Sequence, residues 1–282
     1  MREKLSGCVF LIFALTSISV LAVITGFIFM QGFPLIADVG LRDFLFGTTW
    51  EPTRGQFGIG AMIAGSLAVT FGAALIGIPV GICCSIFMAE FAPGIVRKIF
   101  RPAIQLLAGI PSVVYGFWGI MFVVPFIRNY FGGPGLSILA GSIVLGIMML
   151  PTIISISEVA IVSLSHTYKE GALALGMTHW QTILAVQLPA AKSGIVAGVI
   201  LGLGRALGET MAVIMILGNA TALPESILSP VRTLTANIGL EMGYATGVHR
   251  QALFATGIVL FIIIMLLNII AQHLTNRGDM IE

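Results

Sequence analysis

Apolar residues run almost unbroken through six stretches of this chain, at about residues 6–30, 61–90, 103–127, 136–162, 194–219 and 252–272. Each run reaches the roughly 20 residues that a helix needs to cross a hydrocarbon layer. Backbone polar groups in lipid must be satisfied within the structure itself, which leaves helices and closed barrels. Continuous apolar runs do not fit the two-residue alternation of a barrel strand. The pattern therefore predicts an all-α membrane protein with six transmembrane helices. The first run follows a basic start, MREK, and is longer than the roughly 7–15 residue core of a signal peptide, so it reads as a retained span.

Composition agrees. The chain has 282 residues, of which 57% are hydrophobic and only 9% charged, too few to cover a soluble surface. A net charge of +2 does not suggest nucleic acid as a partner and leaves the bilayer as the environment. Lys and Arg instead report topology. With six spans both ends share one side, which carries Arg2, Lys4, Arg97, Lys98, Arg101, Lys169, Lys192 and Arg277. The other side carries Arg42, Arg54, Arg128, Arg232 and Arg250. The bias, concentrated in the short RKIFR loop at 97–101, predicts both termini on the cytoplasmic side. Cys8, Cys83 and Cys84 sit inside apolar runs without metal-ligand spacing and read as small apolar fillers.

The fifth run holds the sharpest anomaly, GLGRALGETMAV at 202–213, in which Arg205 and Glu209 lie near the middle of a span. Each charge at a helix centre costs about 2.5–3.5 kcal/mol on insertion scales. On one continuous helix Gly194, Gly198, Gly202, Arg205, Glu209, Ala212 and Asn219 share a narrow sector, and the i, i+4 spacing sets the two charges side by side. Two readings follow. The pair locks helix packing, or Arg205, Glu209 and Asn219 line a route or gate for an anion, since an arginine fork is a natural oxyanion ligand.

Three loops are long enough to carry function, at about 31–60, 163–193 and 220–251. The second, HTYKEGALALGMTHWQTILAVQLPAAKSG, is moderately apolar for a cytoplasmic loop. Residues 169–187 read as helical with Gly176 inside, and Leu188-Pro189 as a break before the fifth span. An interior glycine costs about 1 kcal/mol relative to alanine, so a partner surface or a helix–turn–helix bend should explain it. Elsewhere, Glu158 lies near the inner end of the fourth span, where it suits either packing against a cation near this loop or gating. Glu90 reads as an interfacial carboxylate at the end of the second span. Residues 229–243 read as a segment at the outer surface, suited to a protein partner or to the membrane interface.

Glu170-Gly171-Ala172, three residues, Gly176, nine residues, Val186, one residue and Leu188-Pro189 resemble the EAA motif of ABC-importer permeases, with Gly171 for Ala and Val186 for Ile as departures. GRALGETMAV followed by GN, LLAGIPSVVYGFWG at 106–119 and FLFGTTWEPTRGQFG at 44–58 resemble the PstC-type permeases of phosphate importers, over about residues 41–272. The resemblance implies a type I ABC importer permease fold. Residues 1–60 would form a first helix and outer loop, and residues 61–275 a permease core containing the coupling loop at about 163–193. It implies a coupling helix around Glu170 to Trp180 that docks on an ATPase, although an interfacial helix on the headgroups would also suit Trp180. It also implies a second, PstA-like permease, an ATPase dimer and an extracytoplasmic phosphate-binding protein as partners, with ATP and magnesium acting through the ATPase and no cofactor held by this chain.

The residues fit that division of labour. No G-x4-G-K-[ST] phosphate loop occurs, and Lys192-Ser193 follows Ala191. Gly202-x-Gly204 has Gly208 one position too late for a dinucleotide fingerprint. An intramembrane hydrolase would need a base or metal at depth, and His166, His179, His249 and His273 lie in loops or at a span end. A non-catalytic transporter subunit is expected. The residues alone support an oxyanion path. Phosphate rather than sulfate or molybdate rests on the resemblance, and a channel or secondary transporter would leave the loop motif unexplained.

Overall fold

The computed structural model describes residues 2–164 and 166–276. It is helical almost throughout. Helix α1 (Arg2–Val39) leads to a short α2 (Leu41–Phe46) and to a two-stranded antiparallel hairpin, β1 (Trp50–Glu51) with β2 (Gln56–Phe57). Helix α3 (Gly60–Ile86) continues without a break into a wide π turn at Phe87–Phe91. Helix α4 (Gly94–Gly109), which carries Arg97, Lys98 and Arg101, is a separate helix before the third span. That span is residues 112–131, built from α5 (Ser112–Trp118), a π turn at Gly119–Val123 and α6 (Val124–Phe131), so the span predicted at 103–127 begins later. Pro111 cannot donate to a helix ladder, and the chain turns extended at Ile110. Helix α7 (Ile138–Val162) is one uninterrupted span despite Pro151.

The loop that follows contains α8 (His166–Ala174), α9 (His179–Thr182), a π turn at Ile183–Gln187 and α10 (Leu188–Ala190). Then come α11 (Lys192–Gly208), α12 (Met211–Ile216), α13 (Leu234–Glu241) and α14 (Gly247–Asn276). Among the described residues, five helical segments are long and apolar enough to cross a bilayer, and a bent pair, residues 179–190 and 192–208 at 71°, makes six if it counts as one span. The count is five or six, and the fifth apolar run is not the single helix over 194–219 that hydrophobicity predicts.

Helix α7 is the axis of the bundle. Its Val144, Leu145, Met148, Met149 and Ile153 are buried among Val69 and Ala73 of α3, Tyr115 of α5 and Val213, Ile216 and Leu217 at the end of α12. The α3–α7 contact is close because small residues face each other. A Cβ on Gly77 would stand 2.9 Å from the Gly146 carbonyl oxygen. Membrane helices gain little from hydrophobic exclusion and rely on such close packing instead.

Helix α1 is peripheral. Residues Val9–Val23 are exposed, and only its second half meets α14, with Phe27 on Phe254 and Phe29 on Phe261 edge to face. The helix also runs beyond the expected end at residue 30, to Val39.

One expectation fails outright. Residues 229–243 are not a surface segment. Val231, Leu234, Ala236 and Asn237 are fully buried, so α13 dips back into the bundle. Val231 bridges Gly218, and Leu234 donates its backbone N–H to Ser66 Oγ of α3 at 2.9 Å. Much of the polar look of SPVRTLTAN comes from groups bonded inside the protein, as in the Thr233–Thr235 and Arg232–Asn237 pairs, which a surface reading of polarity does not anticipate.

Candidate functional site: a broken span and the loop below it

The two charges of the fifth span do not pair. Helix α11 ends at Gly208, Glu209 is extended (φ −67°, ψ 133°), and α12 begins at Met211. Glycines at 202, 204 and 208 weaken helical preference at this end. Glu209 then takes another role: its Oε1 accepts the N–H of Ala212 at 3.1 Å, capping the first turn of α12. Its backbone carbonyl accepts from Thr235 Oγ1 at 2.7 Å, which ties the break to α13.

Arg205 is half-buried, and among the described residues it makes no hydrogen bond or ion pair. The chain around it borders open space, because a Cβ on Gly204 or Gly208 would meet nothing within 4 Å. A guanidinium in a largely apolar span, without a hydrogen-bond or ion-pair partner among the described residues, is available to a ligand or to a neighbouring chain.

Asn219 leaves the proposed sector altogether. It sits in the turn after α12 in the left-handed region (φ 54°), and its Nδ2 donates to Ile214 O at 2.7 Å, closing the end of that helix. Its carbonyl accepts from Arg232 Nε at 3.1 Å. The continuous helical wheel from Gly194 to Asn219 therefore ends at Gly208, because the backbone turns where the apolar pattern continues.

Arg232 belongs to a buried polar cluster at the end of the bundle away from the 163–193 loop. Glu241 accepts from Arg232 Nη1 at 2.6 Å and from Trp50 Nε1 at 2.9 Å, and lies 2.8 Å from His249 Nε2. Arg232 Nη1 also donates to Asn237 Oδ1 at 3.0 Å. One carboxylate thus joins the hairpin, α13 and α14.

At the opposite end, the EAA-like loop forms two short helices joined by a turn, not one helix from Glu170 to Trp180. Gly176 has φ +83° and ends α8, so the bend rather than a helix interior explains this glycine. Met177 N–H closes the turn on Ala172 O at 3.2 Å. Thr178 and Gln181 then form a reciprocal capping box that starts α9. Ala172 is buried, whereas Glu170, Gly171 and Gly176 are exposed, Leu175 is 86% exposed and Trp180 is 54% exposed. Exposed Leu175 and Trp180 beside this turn give the loop an apolar surface suited to contact. Leu188 and Pro189 continue the helical path, with Leu188 half-buried, and the sharp bend follows at Ala191 (φ −88°, ψ 0°).

Glu158 is 5% exposed, and its Oε1 accepts both Nε and Nη2 of Arg101 at 2.9 and 2.7 Å. Its cation partner is thus Arg101 of α4, outside the 163–193 loop. Glu90 is the residue that sequence reasoning undervalued. Its carboxylate takes Lys169 Nζ at 2.5 Å and Gln187 Nε2 at 2.9 Å, with His179 Nε2 at 3.6 Å. Nearby, Arg97 Nε and Nη2 donate to Met88 O and Ala89 O, both at 3.1 Å, which closes the π turn. The available signal was a carboxylate ending an apolar run on the same side as a loop carrying Lys, His and Gln.

Comparison with known proteins fits these features. The family described as "Binding-protein-dependent transport system inner membrane component" matches residues 81–278. The "Probable ABC transporter permease protein YqgH" of Bacillus subtilis is 44% identical over 271 residues, covering 94% of this chain and 88% of the relative. The "Phosphate transport system permease protein PstC" of Xylella fastidiosa is 37% identical over 255 residues, covering 83% and 79%. A structure of the MetNI methionine ABC transporter superposes with TM-score 0.63 at 20% identity, over 82% of this chain and 99% of that one. A bacterial alginate ABC transporter gives 0.61 at 16% identity over 94% of each chain. At those identities the structures speak for the fold.

Proposed function

The chain belongs to the family of binding-protein-dependent transport system inner membrane components, and from that premise we propose that it carries inorganic phosphate across the cytoplasmic membrane as one permease subunit of an ATP-driven importer. It is a transporter subunit rather than an enzyme. The single observation that carries the anion reading is Arg205: a half-buried cation without an internal partner, beside open space at the break of the fifth span. Relatives named phosphate transport system permeases support phosphate as the anion. An arginine fork makes paired hydrogen bonds to such an oxyanion. A single unclamped cation also suits a carrier, which must release what it binds.

The partners follow from the same reading. A related second permease fills the space against Arg205 and completes the path. An ATPase dimer binds the exposed face around Glu170, Gly171, Gly176 and Trp180, and supplies the ATP and magnesium chemistry that this chain lacks. A phosphate-binding protein delivers the anion at the Glu241 end. With Arg97, Lys98, Arg101, Lys169 and Lys192 grouped at the loop end, that end is cytoplasmic.

The test is ATP-driven uptake of labelled phosphate into vesicles holding the whole complex, with Arg205→Ala beside the natural protein and with sulfate and molybdate as competitors. Loss of uptake in an assembled mutant supports the anion role. Unchanged uptake reduces Arg205 to packing, and competition by sulfate at lower concentration than phosphate reassigns the substrate.

A further inference from the structure

The loop of residues 163–193 meets the second span at the Glu90 carboxylate, beside an apolar cluster that includes Ile86 and Ile183. Glu90 lies in the π turn that extends α3, and the loop offers it groups from three elements: Lys169 of α8 at 2.5 Å, His179 of α9 at 3.6 Å and Gln187 of the following π turn at 2.9 Å. The carboxylate is largely buried, with 8% of its side chain exposed. Phe91, its neighbour, packs edge to face on the His179 ring at 5.2 Å. A buried charge-assisted hydrogen bond is stronger and more directional than an exposed ion pair, so this junction resists slipping.

From Glu90 the second span runs as one helix to its other end, residues 60–91. At about 1.5 Å per residue, Ser66 stands roughly 36 Å away along the helix. There Ser66 Oγ accepts the N–H of Leu234, and the next residue, Thr235, donates to the carbonyl of Glu209. Between these ends α3 packs closely on α7: a Cβ on Gly77 would stand 2.9 Å from the Gly146 carbonyl oxygen, and one on Gly81 2.7 Å from the Ile153 side chain. The loop, the second span, α13 and the break beside Arg205 are thus joined by one continuous set of hydrogen bonds and close packing.

We propose that Glu90 is a positioning residue for transport. It passes movement of the 163–193 loop to the second span, which carries it through Ser66 and α13 to the Glu209 break. The inference rests on the reading of that loop as the ATPase-docking element. Spatial continuity alone does not establish coupling, so the test must read coupling directly.

The whole complex, reconstituted with its ATPase, second permease and binding protein, is compared with Glu90→Gln, Lys169→Met and the double variant. Phosphate moved per ATP hydrolysed should fall about tenfold in each single variant, with assembly and hydrolysis retained, and no further in the double variant. A second readout needs no phosphate: with the native cysteines replaced, Gly208→Cys is labelled by a thiol reagent with and without ATP. Its labelling rate should change with nucleotide in the Glu90 background and lose that change in Glu90→Gln. A nucleotide-driven change that survives Glu90→Gln and Lys169→Met overturns the proposal, as does an unaltered phosphate-to-ATP ratio. If Glu90→Gln does not assemble, Lys169→Met and Gln187→Met decide the matter by the same two readouts. A complex whose labelling responds to nucleotide but which moves no phosphate would sink the substrate assignment while still deciding the role of Glu90.

Discussion

The Thr235 hydroxyl donates to the backbone carbonyl of Glu209 at 2.7 Å, so the break in the fifth span is held open by a helix that comes from the next loop. A carbonyl released by a helix break inside a membrane protein needs such a donor, since lipid offers none.

Thr235→Val keeps the shape and removes that donor. The expected cost is about 1–3 kcal/mol, the penalty for leaving a buried acceptor unpaired. Thermal unfolding of the purified complex should report the loss, and uptake should fall more than in Thr256→Val, whose hydroxyl bonds only within its own helix.

Arg205→Lys separates charge from geometry. Lysine keeps the positive charge but lacks the planar fork. Uptake should lie between that of the natural protein and Arg205→Ala, with a raised KM for the loaded binding protein. Equal activity of Arg205→Lys and Arg205 would show that charge alone matters.

Glu241→Leu should be among the most damaging substitutions at the end away from the coupling loop. It leaves Arg232 buried and uncompensated, at a cost of about 3–5 kcal/mol. Combining it with Arg232→Met should recover much of the lost thermal stability, because the second change removes the stranded charge. Additive losses in the double variant would argue against the pairing.

Gly176→Ala places a side chain at φ +83°. Strain of about 1–3 kcal/mol is expected there. It should show as weaker cross-linking between cysteines near Trp180 and the ATPase, with the bundle itself unaffected in thermal unfolding.

The spans were legible because twenty-residue apolar runs have few alternative fates. Arg205 stood out for the same reason, as a charge where charge is costly. Its supposed partnership with Glu209 did not survive, because hydrophobicity continues across residues 209–219 while the backbone does not. Periodicity measures which side chains avoid water and is silent on where a helix stops. The buried position of Asn237 and Glu241 was hidden for a related reason. Polar residues that satisfy one another through partners 191 residues away, as Trp50 and Glu241 do, look in sequence like any exposed loop. Glu90 was misjudged because its three partners lie 79 to 97 residues downstream, beyond any local pattern. The EAA-like spacing, by contrast, lies within twenty residues, although Gly176 separates two helices there.

The first helix touches the bundle through the last. A Cβ on Gly32 would stand 2.6 Å from the backbone nitrogen of Ala255, more than 200 residues further along the chain. During synthesis α1 therefore meets mainly its sequence neighbours, through Leu35 and the Phe44–Met62 cluster, until α14 arrives. The exposed first half of α1, Val9–Val23, gains no cover from the described residues even after α14 docks. A truncated chain lacking α14 would leave α1 unclaimed, a natural handle for membrane quality control to recognise an unfinished permease.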